Sequence, residues 1–119
     1  MSKNRKLNTA IVGATGFTGL DLVYILSKHP KIKISHLCAT KSLGKKISFF
    51  DKRIKRKLPK INKINSIIWS KLDLVFLSLP NGEAQKIIKK NYNKYKNIIF
   101  IDLSADFRID DALKYYKTY

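Results

Sequence analysis

The stretch TAIVGATGFTG, residues 9–19, sets an apolar run directly before three glycines spaced three residues apart. The apolar run predicts a buried strand, and the residues after it predict the start of a helix. Glycines at such a junction permit a tight turn, let the backbone approach a pyrophosphate, and allow the helix to pack against the strand. The amides of the first helical turn would then face the phosphates, whose charge the helix dipole favours. We therefore predict a nucleotide site at Gly13, Gly16 and Gly19, with a purely structural turn as the alternative.

Strand and helix patterns alternate along the rest of the chain. The predicted elements are, in chain order, a strand over 6–12, a helix over 17–28, a strand over 31–39, an irregular, solvated and basic connection over 42–65 with room for a short strand within 61–68, a strand over 72–80, a helix over 83–92, a strand over 97–102 and a helix over 110–119. This alternation predicts an α/β fold, Rossmann-like and doubly wound, with a mainly parallel sheet and helices on both faces.

The spacing of apolar residues also predicts which side chains of the second strand and of the helix over 83–92 lie on the same face. In the second strand we predict Ile32, Ile34 and His36 on one face, because side chains alternate along a strand. In the helix over 83–92 the residues predicted to point inward are Ala84, Ile87, Ile88 and Tyr92. The whole chain, 1–119, is expected to be one NAD(P)-binding domain.

The net charge of the chain raises the question of whether it binds nucleic acid. The chain carries 25 Lys and Arg against 8 Asp and Glu, a formal net charge of +17. Such an excess invites a nucleic-acid interpretation, because lysines near phosphates release counterions. The lysines are scattered over every segment, however, and no zinc-finger spacing, recognition-helix signature or aromatic RNA-binding string accompanies them. We expect no specific nucleic-acid partner, and instead non-specific, salt-sensitive adhesion to polyanions.

Length, apolar runs and cysteine usage bound the class of protein. No apolar run approaches the ~18–20 residues of a membrane span, and the N-terminus lacks a signal-peptide pattern. A single cysteine, Cys38, excludes an internal disulfide and suits a cytoplasmic protein without a membrane partner. Cys38 is expected to be a small core residue rather than a nucleophile. His29 and His36 are too few for a metal site, so no metal is expected.

Ligands of such sheets bind outside the carboxyl ends of the strands. The second predicted strand is followed by Thr40, Lys41 and Ser42, with no acidic residue of the kind that holds the ribose 2′-hydroxyl of NAD. A lysine between two hydroxyls suits a 2′-phosphate and favours NADP, although Lys41 is one lysine among many.

Two further strand ends carry polar strings. The string SLPNG at 78–82 would lie over the cofactor, or would serve as a simple strand-to-helix turn. The string DLSADFR at 102–108 ends in Arg108, whose guanidinium offers a bidentate fork for a phosphate or carboxylate. A solvated helix start is the alternative for that string.

Four strings together resemble the N-acetyl-γ-glutamyl-phosphate reductases of the semialdehyde dehydrogenase superfamily: VGATGFTG at 12–19, TKSLGK at 40–45, DLVFLSLP at 73–80 and DLSADFR at 102–108. The last string resembles the family's own signature, whereas many other families share the glycine string. The resemblance implies NADPH-dependent reduction of a small acyl phosphate to an aldehyde in arginine biosynthesis, through a thioester on a cysteine, in a homo-oligomer. It places Arg108 on the substrate phosphate. The cofactor contacts it implies are Gly13, Thr15, Gly16, Phe17, Thr18, Gly19, Thr40, Lys41, Ser42, Leu79 and Pro80.

The chain also departs from that family. Asn81 stands where the family often has histidine, and Lys41 where it often has arginine. Members of the family are considerably longer, and their nucleophilic cysteine, base histidine and substrate domain lie beyond the equivalent of Tyr119. The resemblance therefore implies an N-terminal fragment with an incomplete sheet and without the catalytic and dimerisation domain, and we expect it to be inactive by itself. The alternatives are the cofactor domain of an aspartate-semialdehyde dehydrogenase or of a lysine-pathway aminoadipyl-phosphate reductase, or a basic module that binds polyanions without catalysis.

Overall fold

A computed structural model describes residues 5–80 and 82–103 of the chain. Its strands and α-helices are β1 (Leu7–Val12), α1 (Phe17–Ser27), β2 (Ile32–Cys38), β3 (Ile61–Asn62), β4 (Leu74–Leu77), α2 (Glu83–Asn91) and β5 (Ile99–Asp102). Short 3₁₀ turns lie at Ile47–Phe49, Ile64–Ser66 and Trp69–Lys71. The five strands form one sheet in the order β3-β2-β1-β4-β5, and every pairing in it is parallel. The predicted strand and helix order is confirmed over the described residues.

The two helices cover opposite faces of this sheet. Ile11 in the central strand β1 packs in one core with Leu22 and Val23 of α1. Its neighbours Ala10 and Val12 point the other way, into a second core that contains Ala84 of α2. The central strands β1 and β4 bury side chains on both faces of the sheet because successive side chains alternate. The doubly wound arrangement predicted from the sequence is therefore confirmed.

The connection between β2 and β3 differs from its prediction. Ile47 and Ile54, expected in a solvated segment, are buried in the same core as α1. Arg53 ties the connection to that helix: its guanidinium lies 2.7 Å from Asp21 and 2.6 Å from Asp51, and 4.5 Å above the ring of Tyr24. This connection therefore packs on the core although its backbone is irregular. The sequence did not predict the packing, because the apolar residues of the segment follow neither a helical nor a strand period.

Two predicted faces are corrected by the structure. Tyr92 is 63% exposed, whereas Asn91 is only 7% exposed and donates its amide to the carbonyl of Ile87 at 2.9 Å. Helix α2 ends at Asn91, and that residue, not Tyr92, completes the inward stripe. In β2 the pairing with β1 is irregular: Thr9 lies opposite Ile34, but the next residue, Ala10, lies opposite His36, so Ser35 has no partner in β1. Leu37, instead of His36, therefore joins Ile34 in the core.

Some expectations fall outside the described residues. The helix predicted over 110–119, Asn81 and Arg108 all lie there. In the part of the chain that the structure covers, no helix is long and apolar enough to cross a bilayer.

Candidate functional site

The strand order reverses between β1 and β4, and a cleft opens at that point. Chain continuity runs outward from β1 through β2 to β3, then returns to β4 on the other side of β1. The carboxyl ends of β1 and β4 lie side by side, with Val12 paired to Leu77. The cleft above them measures about 840 Å³ and is walled by the glycine turn, the end of β2, the residues after β3 and the β4–α2 connection. We call it the switch-point cleft, since such reversals are where open α/β sheets bind ligands.

Gly13 and Gly19 are fixed by the packing of the protein itself. Gly13 has φ +83°, and a Cβ atom there would overlap the carbonyl oxygen of Ser78. Its amide and that of Ala14 donate to the carbonyl of Cys38 at 2.8 and 3.1 Å, which holds the turn against the end of β2. A Cβ on Gly19 would overlap the carbonyl oxygen of Gly13, so only glycine lets α1 pack this closely.

Gly16 has no comparable packing reason to be glycine. Its φ is −76°, and a Cβ there would meet nothing nearer than the carbonyl oxygen of Gly13 at 3.8 Å. Gly16 lines the switch-point cleft, and a side chain would project into open space. A glycine at this point keeps the backbone accessible to whatever enters the cleft.

The start of α1 presents backbone donors at the same place. Gly16 is the N-cap and provides no capping side chain, and the first helical hydrogen bond runs from the amide of Leu20 to the carbonyl of Gly16 at 2.8 Å. The three amides before it, of Phe17, Thr18 and Gly19, precede the helical ladder and have no partner in it. The first turn contains no acidic residue, so the positive end of the helix dipole is uncompensated there. This is the arrangement that binds an anion.

The structure brings together about half of the residues predicted to contact a cofactor. Those that line the switch-point cleft are Gly13, Thr15, Gly16, Thr40, Leu79 and Pro80. Gly19 is buried behind the turn, and Phe17 is 95% exposed beside it. Lys41 and Ser42 follow Thr40 directly but do not line the walls, and Ser42 adopts φ +62°.

Sequence reasoning missed four polar residues that line the switch-point cleft: Lys63, Asn65, Glu83 and Lys86. Lys63 arrives there because β2 and β3 pair in parallel, with Cys38 opposite Asn62. Its backbone is held by its own amide donating to Asn62 Oδ1 at 2.8 Å and by Ser66 Oγ donating to its carbonyl at 2.6 Å. The one sequence signal for this position is that Ile61 and Ile64 flank it, which indicates a short strand. Two apolar residues are too few to predict how that strand pairs with β2.

Cys38 lies under the cleft as a core residue, as the sequence indicated. It is 1% exposed, and burial raises the pKa of its thiol to about 12. A thiol with that pKa is protonated at neutral pH and is a poor nucleophile. Within the described residues no cluster of three potential metal ligands forms.

The comparisons with known proteins agree with an NAD(P)-binding fold. The family model "Semialdehyde dehydrogenase, NAD binding domain" matches residues 8–117. The N-acetyl-gamma-glutamyl-phosphate reductase of Ehrlichia ruminantium (strain Gardel) is 46% identical over 116 residues, which are 96% of this chain and 33% of that protein. The protein of the same name from Afipia carboxidovorans is 38% identical over 122 residues, covering 100% of this chain and 34% of the relative. The chain thus spans about a third of the length of the curated relatives it matches.

Solved structures of similar fold carry a different enzyme name. An aspartate semialdehyde dehydrogenase with NADP from Candida albicans superposes with a TM-score of 0.61 at 23% identity, over 88% of this chain and 31% of that one. The Vibrio cholerae aspartate semialdehyde dehydrogenase II gives a TM-score of 0.58 at 19% identity, over 89% and 33%. At such identities the likeness shows the fold alone.

Proposed function

Because this chain belongs to the semialdehyde dehydrogenase family through its NAD-binding domain, we propose that it holds NADPH for the reduction of N-acetyl-γ-glutamyl phosphate. The whole enzyme would form the 5-semialdehyde of N-acetylglutamate, a step of arginine biosynthesis. The choice of substrate rests on the curated relatives that carry that enzyme's name, at 46% and 38% identity. An aspartyl phosphate substrate is supported only by structures below 25% identity.

The open environment of Gly16 is the observation that carries the cofactor proposal. Packing explains Gly13 and Gly19, whereas Gly16 lines the switch-point cleft with no protein atom close enough to require glycine. A pyrophosphate lying over Gly16 would accept from the amides of the first turn of α1 and would exclude any side chain. The residues present therefore fit a dinucleotide.

The strand order sets the direction in which we place the cofactor. In this fold the adenosine ribose lies by the end of β2, and the other half of the dinucleotide crosses to the β4 side. On the β2 side the candidates for the 2′-phosphate are Thr40, Lys41, Ser42 and also Lys63. The lysines are the reason for preferring NADPH to NADH. Glu83 and Lys86 lie on the α2 side of the cleft.

The nicotinamide half is then held near Leu79 and Pro80 at the end of β4. Bound NADPH supplies the hydride, and the chain positions it at the edge of the sheet. Thr15, Phe17 and Thr18 complete the proposed contacts around the turn. Arg108, which lies outside the described residues, is proposed to hold the substrate phosphate through its guanidinium fork.

The thiol nucleophile of the whole reaction is not supplied by these 119 residues. Cys38 is the single cysteine of the chain, and it is buried with a protonated thiol. We propose that the chain alone binds NADPH without turnover. The complete enzyme is proposed to act as a homo-oligomer.

The substitution Gly16→Asp tests the cofactor proposal, because it moves stability and affinity in opposite directions. Aspartate is a better N-cap than glycine, so the free energy of unfolding is expected to rise by a few tenths of a kcal/mol. The same carboxylate would repel the pyrophosphate, and NADPH affinity is expected to fall at least ~100-fold, or about 2.7 kcal/mol. Binding is measured by calorimetry, and stability by thermal unfolding.

Two control variants make that result specific. Asn97→Asp adds the same charge just before β5, at the opposite edge of the sheet, and is expected to leave NADPH affinity unchanged. Gly19→Ala is expected to lower stability, because its Cβ meets backbone. If Gly16→Asp binds NADPH as tightly as Asn97→Asp does, the proposed site is wrong and the basic-module alternative gains support.

A further inference from the structure

A basic cleft lies in the connection between β2 and β3, on residues that the switch-point cleft does not use. It measures about 790 Å³ and is lined by eleven residues between 46 and 60. The cations among its lining residues are Lys46, Lys52, Lys55, Arg56, Lys57 and Lys60, and no acidic residue is among them. All six are exposed. All six belong to the connection over 42–65 that the sequence already marked as basic, and folding places them around one cleft.

The acidic residue nearest to these cations in sequence already pairs with an arginine that does not line the basic cleft. Asp51 is the only acidic residue between 45 and 60. It accepts hydrogen bonds from the Arg53 guanidinium at 2.6 to 3.1 Å, and these bonds lower the pKa of its carboxyl. The same guanidinium also holds Asp21 at 2.7 Å. In the part of the chain that is described, none of the salt bridges involves a cation that lines the basic cleft.

Uncompensated cations so close together repel one another, and a polyanion would relieve that repulsion. The repulsion is tolerated because the apolar side chains of the connection anchor it to the core. The six cations are therefore held near each other by the fold and remain accessible to a ligand.

Apolar and aromatic groups accompany these charges. Ile47, Ile54 and Leu58 line the basic cleft. Phe49, two residues beyond Ile47, is 67% exposed, and Lys45 Nζ lies 4.3 Å from the centre of its ring. A cation-rich groove that follows a phosphate backbone, beside an exposed ring on which a base can stack, is how proteins bind single strands without sequence preference.

We propose that the basic cleft binds single-stranded nucleic acid through its phosphate backbone, without base specificity. The exposed ring of Phe49 favours a nucleic acid over inorganic polyphosphate, which has no base to stack. This activity is separate from NADPH binding, because the two clefts share no lining residue.

The decisive experiment compares two variants of equal net charge. The cleft variant is Lys52→Gln, Lys55→Gln, Arg56→Gln and Lys57→Gln. The control variant is Lys31→Gln, Lys33→Gln, Lys94→Gln and Lys96→Gln, all exposed residues outside both clefts. Binding of a fluorescent oligothymidylate of about 20 nucleotides, longer than one site, is followed by anisotropy over a salt series.

The cleft variant is expected to bind at least ~10-fold more weakly at about 0.1 M salt, and the control variant less than ~3-fold. Each lost phosphate contact lowers the slope of log affinity against log salt by about 0.7, so the cleft variant should lose about 2 to 3 units of slope. Equal losses in the two variants would show that charge acts diffusely and would overturn the proposal. Calorimetric NADPH binding and thermal unfolding of both variants report whether they are folded, whatever the oligonucleotide result.

Phe49→Ala separates nucleic acid from other polyanions. The exposed ring contributes little to the core, so the variant is expected to fold. Its affinity for oligothymidylate should fall about 5- to 100-fold through lost stacking, while its affinity for inorganic polyphosphate stays unchanged. Unchanged affinity for both ligands, or an equal loss of both, would overturn the assignment to nucleic acid.

Discussion

At the scale of single residues, three glycines of equal spacing meet three different environments. Gly13 needs its positive φ and has no room beside Ser78, and Gly19 has no room beside Gly13. Gly16 has ample room within the protein. Spacing alone predicted all three positions, but it could not say which glycine the protein needs and which a ligand would need. That distinction makes Gly16 the residue at which the cofactor proposal is tested.

Cys38 gives a second prediction at this scale. Burial raises the pKa of its thiol from 9.0 to about 12. The folded chain therefore holds the proton more tightly than the unfolded chain, and this contribution to stability is complete below pH 9 and is lost as the pH rises towards 12. At pH 8 we expect a thiol reagent to modify Cys38 only at the rate of unfolding, and the chain to oxidise no NADPH with the acyl phosphate. Rapid labelling of the native chain, or protein-dependent NADPH oxidation, would contradict this.

At the scale of elements, Arg53 attaches the irregular connection between β2 and β3 to helix α1. It joins Asp51 in its own segment to Asp21 on α1 and lies over Tyr24. Periodicity could not predict this, because the pairing depends on an acid thirty-two positions away.

Arg53→Lys is expected to lower the melting temperature by a few degrees, because lysine cannot bridge two carboxylates with a planar fork. The neighbouring Lys52→Ala, at a position that forms none of the salt bridges of the described chain, should leave it unchanged. Arg53 lowers the pKa of Asp51, so the ion pair stabilises the fold above the ordinary value of 3.8 and less as the pH falls below it. The difference in melting temperature between the parent chain and the Arg53→Lys variant should therefore shrink at acidic pH. A difference independent of pH would show that the pair does not act through charge.

At the scale of the whole molecule, ligand binding and folding are coupled. A ligand that binds only the folded chain stabilises it by about 2.7 kcal/mol at one hundred times its dissociation constant. For a domain of this size that corresponds to a rise of roughly 10 °C in melting temperature. Trp69, the single tryptophan, stacks on Tyr95 with 6.1 Å between ring centres, so its fluorescence reports unfolding. A melt that saturating NADPH leaves unchanged would contradict the proposed binding.

By itself the sequence determined the order of strands and helices, the glycine turn and the family. These depend on local properties: the period of apolar residues, the backbone freedom of glycine, and short strings at strand ends. Only the tertiary structure decided the irregular register at Ser35, the choice of Asn91 over Tyr92, the entry of Lys63 into the switch-point cleft, and the gathering of six cations into the basic cleft. Each of these depends on how segments pack in three dimensions: strand pairing sets the register and brings Lys63 to the cleft, and packing of α2 and of the β2–β3 connection decides the other two. Such packing exists only once the sheet has formed.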